Sequence, residues 1–130
     1  MINYQQINYP LILDGGLSNV LEDQGCDLRH KLWSAKLIKT NPDAIVSAHL
    51  SYLKAGAQCI TTSGYQATLK GFMDLGETKE QAKKLMLRSV ELAEEARDIF
   101  LGSTNVNHKI YIAASMGPYG AFLADGSEYR

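Results

Sequence analysis

Short apolar runs and longer amphipathic segments alternate along the chain. Three runs, at residues 10–13, 58–62 and 109–113, are short and largely aliphatic or β-branched, and they predict strands. The segments between them carry apolar residues at helical spacing. Strands that alternate with helices are typical of parallel β/α units, so we predict the α/β fold class. Because no linker, repeat or low-complexity stretch divides residues 1–130, we treat them as one domain.

Two of the predicted helices have clear start and stop signals. The first begins at Asn41 and Pro42 and ends before Gly56. The second begins with a capping box over residues 78–81 and runs to Gly102. Its predicted buried positions are Ala82, Leu85, Met86, Val90, Ala93 and Phe100. The charged positions of this second helix predict a solvated face with helical ion pairs. We interpret the segments that follow the first two strands as long loops.

Composition narrows the classes of function. The chain has 130 residues, 45% of them hydrophobic and 21% charged, which is typical of a globular domain. The net charge is −1 and there is no basic cluster, so we expect no nucleic acid partner. No signal peptide or membrane-spanning run is present, so we expect a cytoplasmic protein with no membrane partner. Cys26 and Cys59 lie far apart in sequence, and we expect both to be reduced.

Polar and glycine-rich segments follow each predicted strand. These segments are residues 14–16, 63–66 and 115–119. Ligands of parallel β/α folds bind at the carboxyl ends of strands, so the three segments predict one small-molecule site. Asp14 with its two glycines suits either an ordinary turn or a carboxylate that holds a substrate ammonium group. No phosphate-binding glycine pattern is present, which disfavours a dinucleotide.

Longer motifs carry a family resemblance that covers nearly the whole chain. They are Leu13–Leu17, Leu32–Ala35, Ala55–Ala67 and Ser115–Arg130. Together they resemble the homocysteine S-methyltransferases, and most closely the branch that uses S-methylmethionine. The resemblance implies a (β/α)8 barrel, of which this chain would supply the first three strands. It also implies that homocysteine takes a methyl group from S-methylmethionine or S-adenosylmethionine and becomes methionine.

The same resemblance implies which residues bind the substrates, and it assigns no catalytic residue within the chain. Asp14 would bind the homocysteine amino group, and Gly15 and Gly16 would surround it. The residues implied to line and close the cleft are Ser63, Tyr65, Gln66, Met116, Gly117, Pro118 and Tyr119.

Zinc is the cofactor that the resemblance implies, because a metal favours the reactive thiolate of homocysteine. In the family it is held by three cysteine thiolates, two of them in a Gly-Gly-Cys-Cys segment. Neither Cys26 nor Cys59 matches those positions, so no metal ligand is assigned here. We therefore expect an incomplete chain that is inactive alone. The alternatives are a non-catalytic module that binds an amino acid or sulfonium, and a half-barrel that self-associates through an exposed sheet edge.

Overall fold

The structure, a computed structural model, describes residues 10–29, 33–63, 72–73, 76–106 and 108–115. The helices and strands, in chain order, are α1 (Leu17–Asp23), α2 (Trp33–Thr40), α3 (Pro42–Lys54), β1 (Cys59–Thr61), α4 (Lys79–Ser103) and β2 (Tyr111–Ala113). The alternation of helices with parallel strands confirms the predicted α/β class.

The strands run parallel and in register. Strand β1 pairs with β2 so that Ile60 lies opposite Ile112. On its other side, β1 meets the first predicted run through a parallel bridge between Leu13 and Cys59. Residues 10–13 form no longer ladder with β1 among the described residues. All three predicted runs therefore lie side by side, and β1 is the middle one.

Helices α3 and α4 begin where the sequence predicts. Pro42 occupies the first turn of α3, where its missing N–H costs no helical hydrogen bond. That helix ends one residue before Ala55, and Gly56 follows with a φ of +111°, a left-handed conformation that suits glycine. At the start of α4, the Thr78 hydroxyl accepts from the Gln81 amide at 3.2 Å, and the Gln81 side chain accepts from the Thr78 amide at 2.9 Å. The predicted capping box is confirmed.

The buried face of α4 differs in part from the predicted one. The fully buried positions are Ala82, Ser89, Leu92, Ala93, Ala96 and Phe100. The predicted Leu85, Met86 and Val90 are only half-buried, because they lie at the border of that face. The opposite face is solvated as predicted, and Arg88 pairs there with Glu91 at 3.2 Å.

Helices α1 and α2 lie in the segment that was interpreted as a long loop, so that interpretation was wrong there. Helix α1 has seven residues, an N-cap glycine without a side-chain cap, and no charge that complements either end. Helix α2 is one residue longer. Such short helices give weak local signals and depend on packing for their stability.

The hydrophobic core lies where α3 packs on α4 and on the sheet. Its fully buried members come from several elements, and they include Leu21, Ile45, Leu53, Ile60, Phe72 and Leu92. This packing fixes α3 against β1, and the candidate site below depends on that placement. Within the described residues, none of the helices has the length and apolar character needed to cross a bilayer.

The capping box yields a prediction for stability. Thr78→Ala removes the acceptor for the Gln81 amide, and we expect it to lower the free energy of unfolding by about 1 kcal/mol. Thr78→Ser keeps the hydroxyl and should retain most of that stability. Urea unfolding of the wild-type chain and both variants measures the difference. Equal destabilisation by serine and alanine would mean that the threonine methyl group, and not the cap, matters.

Candidate functional site

The turn that follows the first predicted strand is attached directly to β1. The Asp14 carboxylate accepts from the Thr61 amide at 2.8 Å and from the Thr61 hydroxyl at 3.1 Å. The Asp14 amide in turn donates to the Cys59 carbonyl at 3.0 Å. The carboxylate is half-buried, whereas Gly15 and Gly16 are exposed. Thr61 therefore contacts both oxygens of the carboxylate, which is only partly buried.

The ends of β1 and β2 are joined by a second side-chain contact. The Thr62 hydroxyl accepts from the Ser115 amide at 2.9 Å, just past the last residue of β2. Next to it, Ser63 is buried, and its hydroxyl has no hydrogen-bond partner among the described residues. The residues that follow β1, β2 and the bridged run at 10–13 thus lie at one edge of the sheet.

Four of the predicted site residues lie at this edge, namely Asp14, Gly15, Gly16 and Ser63. The other predicted site residues, Tyr65, Gln66, Met116, Gly117, Pro118 and Tyr119, lie outside the described residues. The structure brings the first group together at the strand ends, and the roles assigned to all ten stay predictions.

Helix α3 carries Tyr52, which contacts the turn, and His49, which is buried near Asp14, and the sequence indicated neither as part of the site. The Tyr52 hydroxyl donates to the Gly16 carbonyl at 2.7 Å. One helical turn earlier, His49 is completely buried, and neither ring nitrogen has a hydrogen-bond partner among the described residues. Residues 49 and 52 are three apart, which places them on one face of the helix. That spacing is the only local signal by which they could have been found.

Burial and the charge of Asp14 shape the titration of the groups around the turn. Burial lowers the pKa of His49 from 6.5 to about 4, and the nearby Asp14 carboxylate opposes that shift. Burial, with a smaller contribution from Asp14, raises the pKa of the Cys59 thiol. The imidazole is therefore neutral and the thiol protonated at pH 7.

The described residues do not fit a zinc site. They contain no group of three or more His, Cys, Asp or Glu side chains that could hold a metal ion. Both cysteines are free, and Cys59 lies inside the sheet with its thiol held in the protonated form. Zinc binds the thiolate, so this environment opposes a ligand role for Cys59.

A surface cavity of about 380 Å³ lies elsewhere in the fold. It is lined by residues 24–27 and by Lys36, Leu37, Thr40 and Asn41. None of the predicted site residues lines it. The candidate site is therefore the open edge formed by the strand ends, and not this cavity.

Comparison with known proteins gives one consistent match. The family model for homocysteine S-methyltransferase matches residues 11–130. Homocysteine S-methyltransferase 2 of Zea mays is 51% identical over 124 residues, which cover 92% of this chain and 37% of the relative. Homocysteine S-methyltransferase of Escherichia coli is 49% identical over 120 residues, which cover 92% of this chain and 39% of the relative.

The fold is similar as well. The crystal structure of the homocysteine methyltransferase MmuM from Escherichia coli, in its metallated form, matches with a TM-score of 0.88 and 49% identity. That match covers 92% of this chain and 42% of the crystallised one. The chain therefore spans about two fifths of the length of the relatives it matches.

The buried histidine predicts how stability depends on pH. Between pH 6.5 and about 4 the unfolded chain protonates His49 and the folded chain does not. Folding stability should therefore fall as the pH drops through this window, by up to about 3 kcal/mol from this group. Urea unfolding of the wild-type chain and of His49→Leu, at several pH values from 7.5 down to 4, measures the loss.

The leucine variant should lose less stability than the wild type over that pH range. His108→Gln is the matched control, because His108 is exposed, and it should follow the wild type. Parallel curves for the wild type and His49→Leu would show that His49 does not resist protonation in the folded chain.

Proposed function

Because the chain belongs to the homocysteine S-methyltransferase family, we propose that it supplies the part of a methyltransferase that binds the amino-acid end of homocysteine. One observation carries this proposal. The Asp14 carboxylate is held at the carboxyl edge of the sheet by two hydrogen bonds from Thr61, at 2.8 and 3.1 Å. A charged group fixed in this way is preorganised to receive an ammonium group without reorienting.

The acceptor capacity of Asp14 is consistent with this role. An ionised carboxylate offers about four lone-pair positions, and Thr61 uses two of them. The remaining positions are available to the three N–H donors of a substrate ammonium. Charge-assisted hydrogen bonds of this kind are roughly twice as strong as neutral ones, so Asp14 would supply a large share of the affinity for the amino acid.

The proposed reaction moves a methyl group between two sulfur atoms. The thiol of homocysteine releases its proton to solvent, and the thiolate sulfur attacks the methyl carbon of a sulfonium donor. A new carbon–sulfur bond forms as the old one breaks, and the bonding electrons stay on the donor sulfur as a neutral thioether. Methionine is the methylated product, and S-methylmethionine or S-adenosylmethionine is the proposed donor.

The remaining predicted residues complete the proposed site. Gly15 and Gly16 would form the surroundings of the amino group, and the buried Ser63 hydroxyl next to the strand end would face the substrates. The residues proposed to line and close the cleft are Tyr65, Gln66, Met116, Gly117, Pro118 and Tyr119. The match of their sequence motifs to the family supports these roles. We also propose that the protein is located in the cytoplasm.

We also propose that the strands belong to a (β/α)8 barrel and that the complete enzyme uses zinc. The metallated state of the Escherichia coli structure supports the need for a metal. The groups described above do not fit zinc, so every role proposed for these residues concerns binding and orientation. Zinc, when bound, would supply the acidity that converts the substrate thiol into a thiolate.

A non-catalytic role for the chain alone is the second candidate function. It is supported by one observation, since Thr61 already holds the Asp14 carboxylate in place in this chain. Calorimetric titration of the 130-residue chain with S-methylmethionine tests it, and no heat of binding would count against it.

Self-association is a further alternative, and the exposed side chains of Ile12 and Leu13, beside β1, support it. A sedimentation pattern of monomer alone would exclude it.

The role of Asp14 can be tested in a chimeric enzyme that joins residues 11–130 to the remaining part of the Escherichia coli relative. Asp14→Ala removes the partner of the substrate ammonium. We expect the homocysteine KM to rise by about 10- to 100-fold, which corresponds to the loss of charged hydrogen bonds. The measurement is the rate of methionine formation from homocysteine and S-methylmethionine.

Asp43→Asn is the matched control, because Asp43 is an exposed acid in the first turn of α3. It should leave the homocysteine KM unchanged. Unaltered kinetics for Asp14→Ala would remove Asp14 from the proposed site. A wild-type chimera that folds but forms no methionine would contradict the proposed function itself.

A further inference from the structure

Tyr52 of α3 contacts the turn at residues 14–16 directly. Its hydroxyl donates to the Gly16 carbonyl at 2.7 Å, although the two residues are 36 positions apart. Burial, followed by the charges of Asp14 and Asp23, raises the pKa of Tyr52, so the hydroxyl keeps the proton that it donates. Gly16 is also the N-cap of α1, so this hydrogen bond fixes the point where the turn becomes a helix.

The ring of Tyr52 approaches Gly15 closely. A Cβ atom at Gly15 would lie 3.1 Å from the Tyr52 hydroxyl oxygen and 3.3 Å from Cε1 of the ring. The described glycines with a positive φ are Gly25, Gly56 and Gly76, so the backbone conformation at Gly15 does not itself require glycine. The close approach of the tyrosine ring disfavours a side chain at this position, because the ring or the turn must shift by a few tenths of an ångström to admit one.

The tyrosine is held by a rigid part of the fold. Its neighbour Leu53 and the preceding-turn His49 are both almost completely buried, and α3 packs on α4 through the core. At the other end of the turn, Thr61 holds Asp14. The turn is therefore held by β1 at its first residue and by α3 at its last.

We propose that Tyr52 is a positioning residue for amino-acid binding. By holding Gly16 and packing against Gly15, it keeps the turn, and with it the Asp14 carboxylate, in the orientation that receives the substrate ammonium. This inference rests on the proposed function and adds to it a residue that does not itself touch the substrate. Its effect should appear in substrate binding and not in the chemical step.

The first test is Tyr52→Phe in the chimeric enzyme. This variant keeps the ring and removes only the hydrogen bond to Gly16. We expect the homocysteine KM to rise about three- to tenfold, the size of one lost neutral hydrogen bond, with kcat changed by less than about twofold. Tyr111→Phe, at the start of β2, is the control and should match the wild type. A loss of folded protein alone would lower kcat and leave KM unchanged.

The second test exploits the contact between the ring and Gly15. Gly15→Ala and Tyr52→Leu should each raise the homocysteine KM, the former because the new methyl group displaces the turn. The double variant should raise the KM by clearly less than the product of the two single effects, because the ring that the methyl group meets is gone. Multiplication of the two effects would overturn the proposed packing role.

A third measurement does not depend on activity. In the 130-residue chain, Tyr52→Phe should speed hydrogen exchange of the amides at residues 15–17 by at least about threefold, while amides in α4 keep the wild-type rate. If the wild-type chimera forms no methionine, the proposed function fails and the role of Tyr52 in substrate binding is overturned with it, whereas faster exchange would still show that Tyr52 holds the turn. Unchanged exchange at residues 15–17 together with an unchanged KM would overturn the inference.

Discussion

The pair of hydrogen bonds between Asp14 and Thr61 is the constraint on which the rest of the site depends. A parallel sheet aligns its strand ends, but it leaves the loops beyond them free to diverge. Here the Asp14 carboxylate accepts hydrogen bonds from both the amide and the hydroxyl of Thr61, the last residue of β1. The first residue of the turn is therefore attached to β1, and the hydrogen bond from Tyr52 to Gly16 holds the last residue of the turn.

Helix α3 links this turn to the hydrophobic core. Its buried residues Ile45 and Leu53 belong to the same core cluster as Leu92 of α4, and Tyr52 of the same helix donates to the Gly16 carbonyl in the turn. The burial of His49, with both ring nitrogens unpartnered among the described residues, costs stability, since a buried polar group without a hydrogen bond is unfavourable. This cost arises near Asp14, whose carboxylate is proposed to bind the substrate ammonium.

The sequence predicted those features that have local causes. Pro42 and the capping box at Thr78 specify the starts of α3 and α4 through contacts within a few residues, and both predictions are confirmed. The alternation of strands and helices predicted a parallel sheet, and a parallel sheet places the residues after its strands, Asp14 and Ser63 among them, at one edge. The motifs also indicated the correct family. Helix α1 was missed because a glycine N-cap and seven residues give no comparable local signal.

The supporting contacts were beyond prediction because tertiary packing creates them. Thr61 and Asp14 are 47 positions apart, and Tyr52 and Gly16 are 36 apart, so no periodicity or motif connects them. Of these four residues, Tyr52 alone lies outside the family motifs. A group that meets a ligand must have particular chemistry, whereas Tyr52 needs only one donor and a ring of the correct size at a fixed place. Residues that bind a substrate can therefore be predicted from a sequence motif. Residues that orient them, such as Tyr52, are identified only from the folded structure.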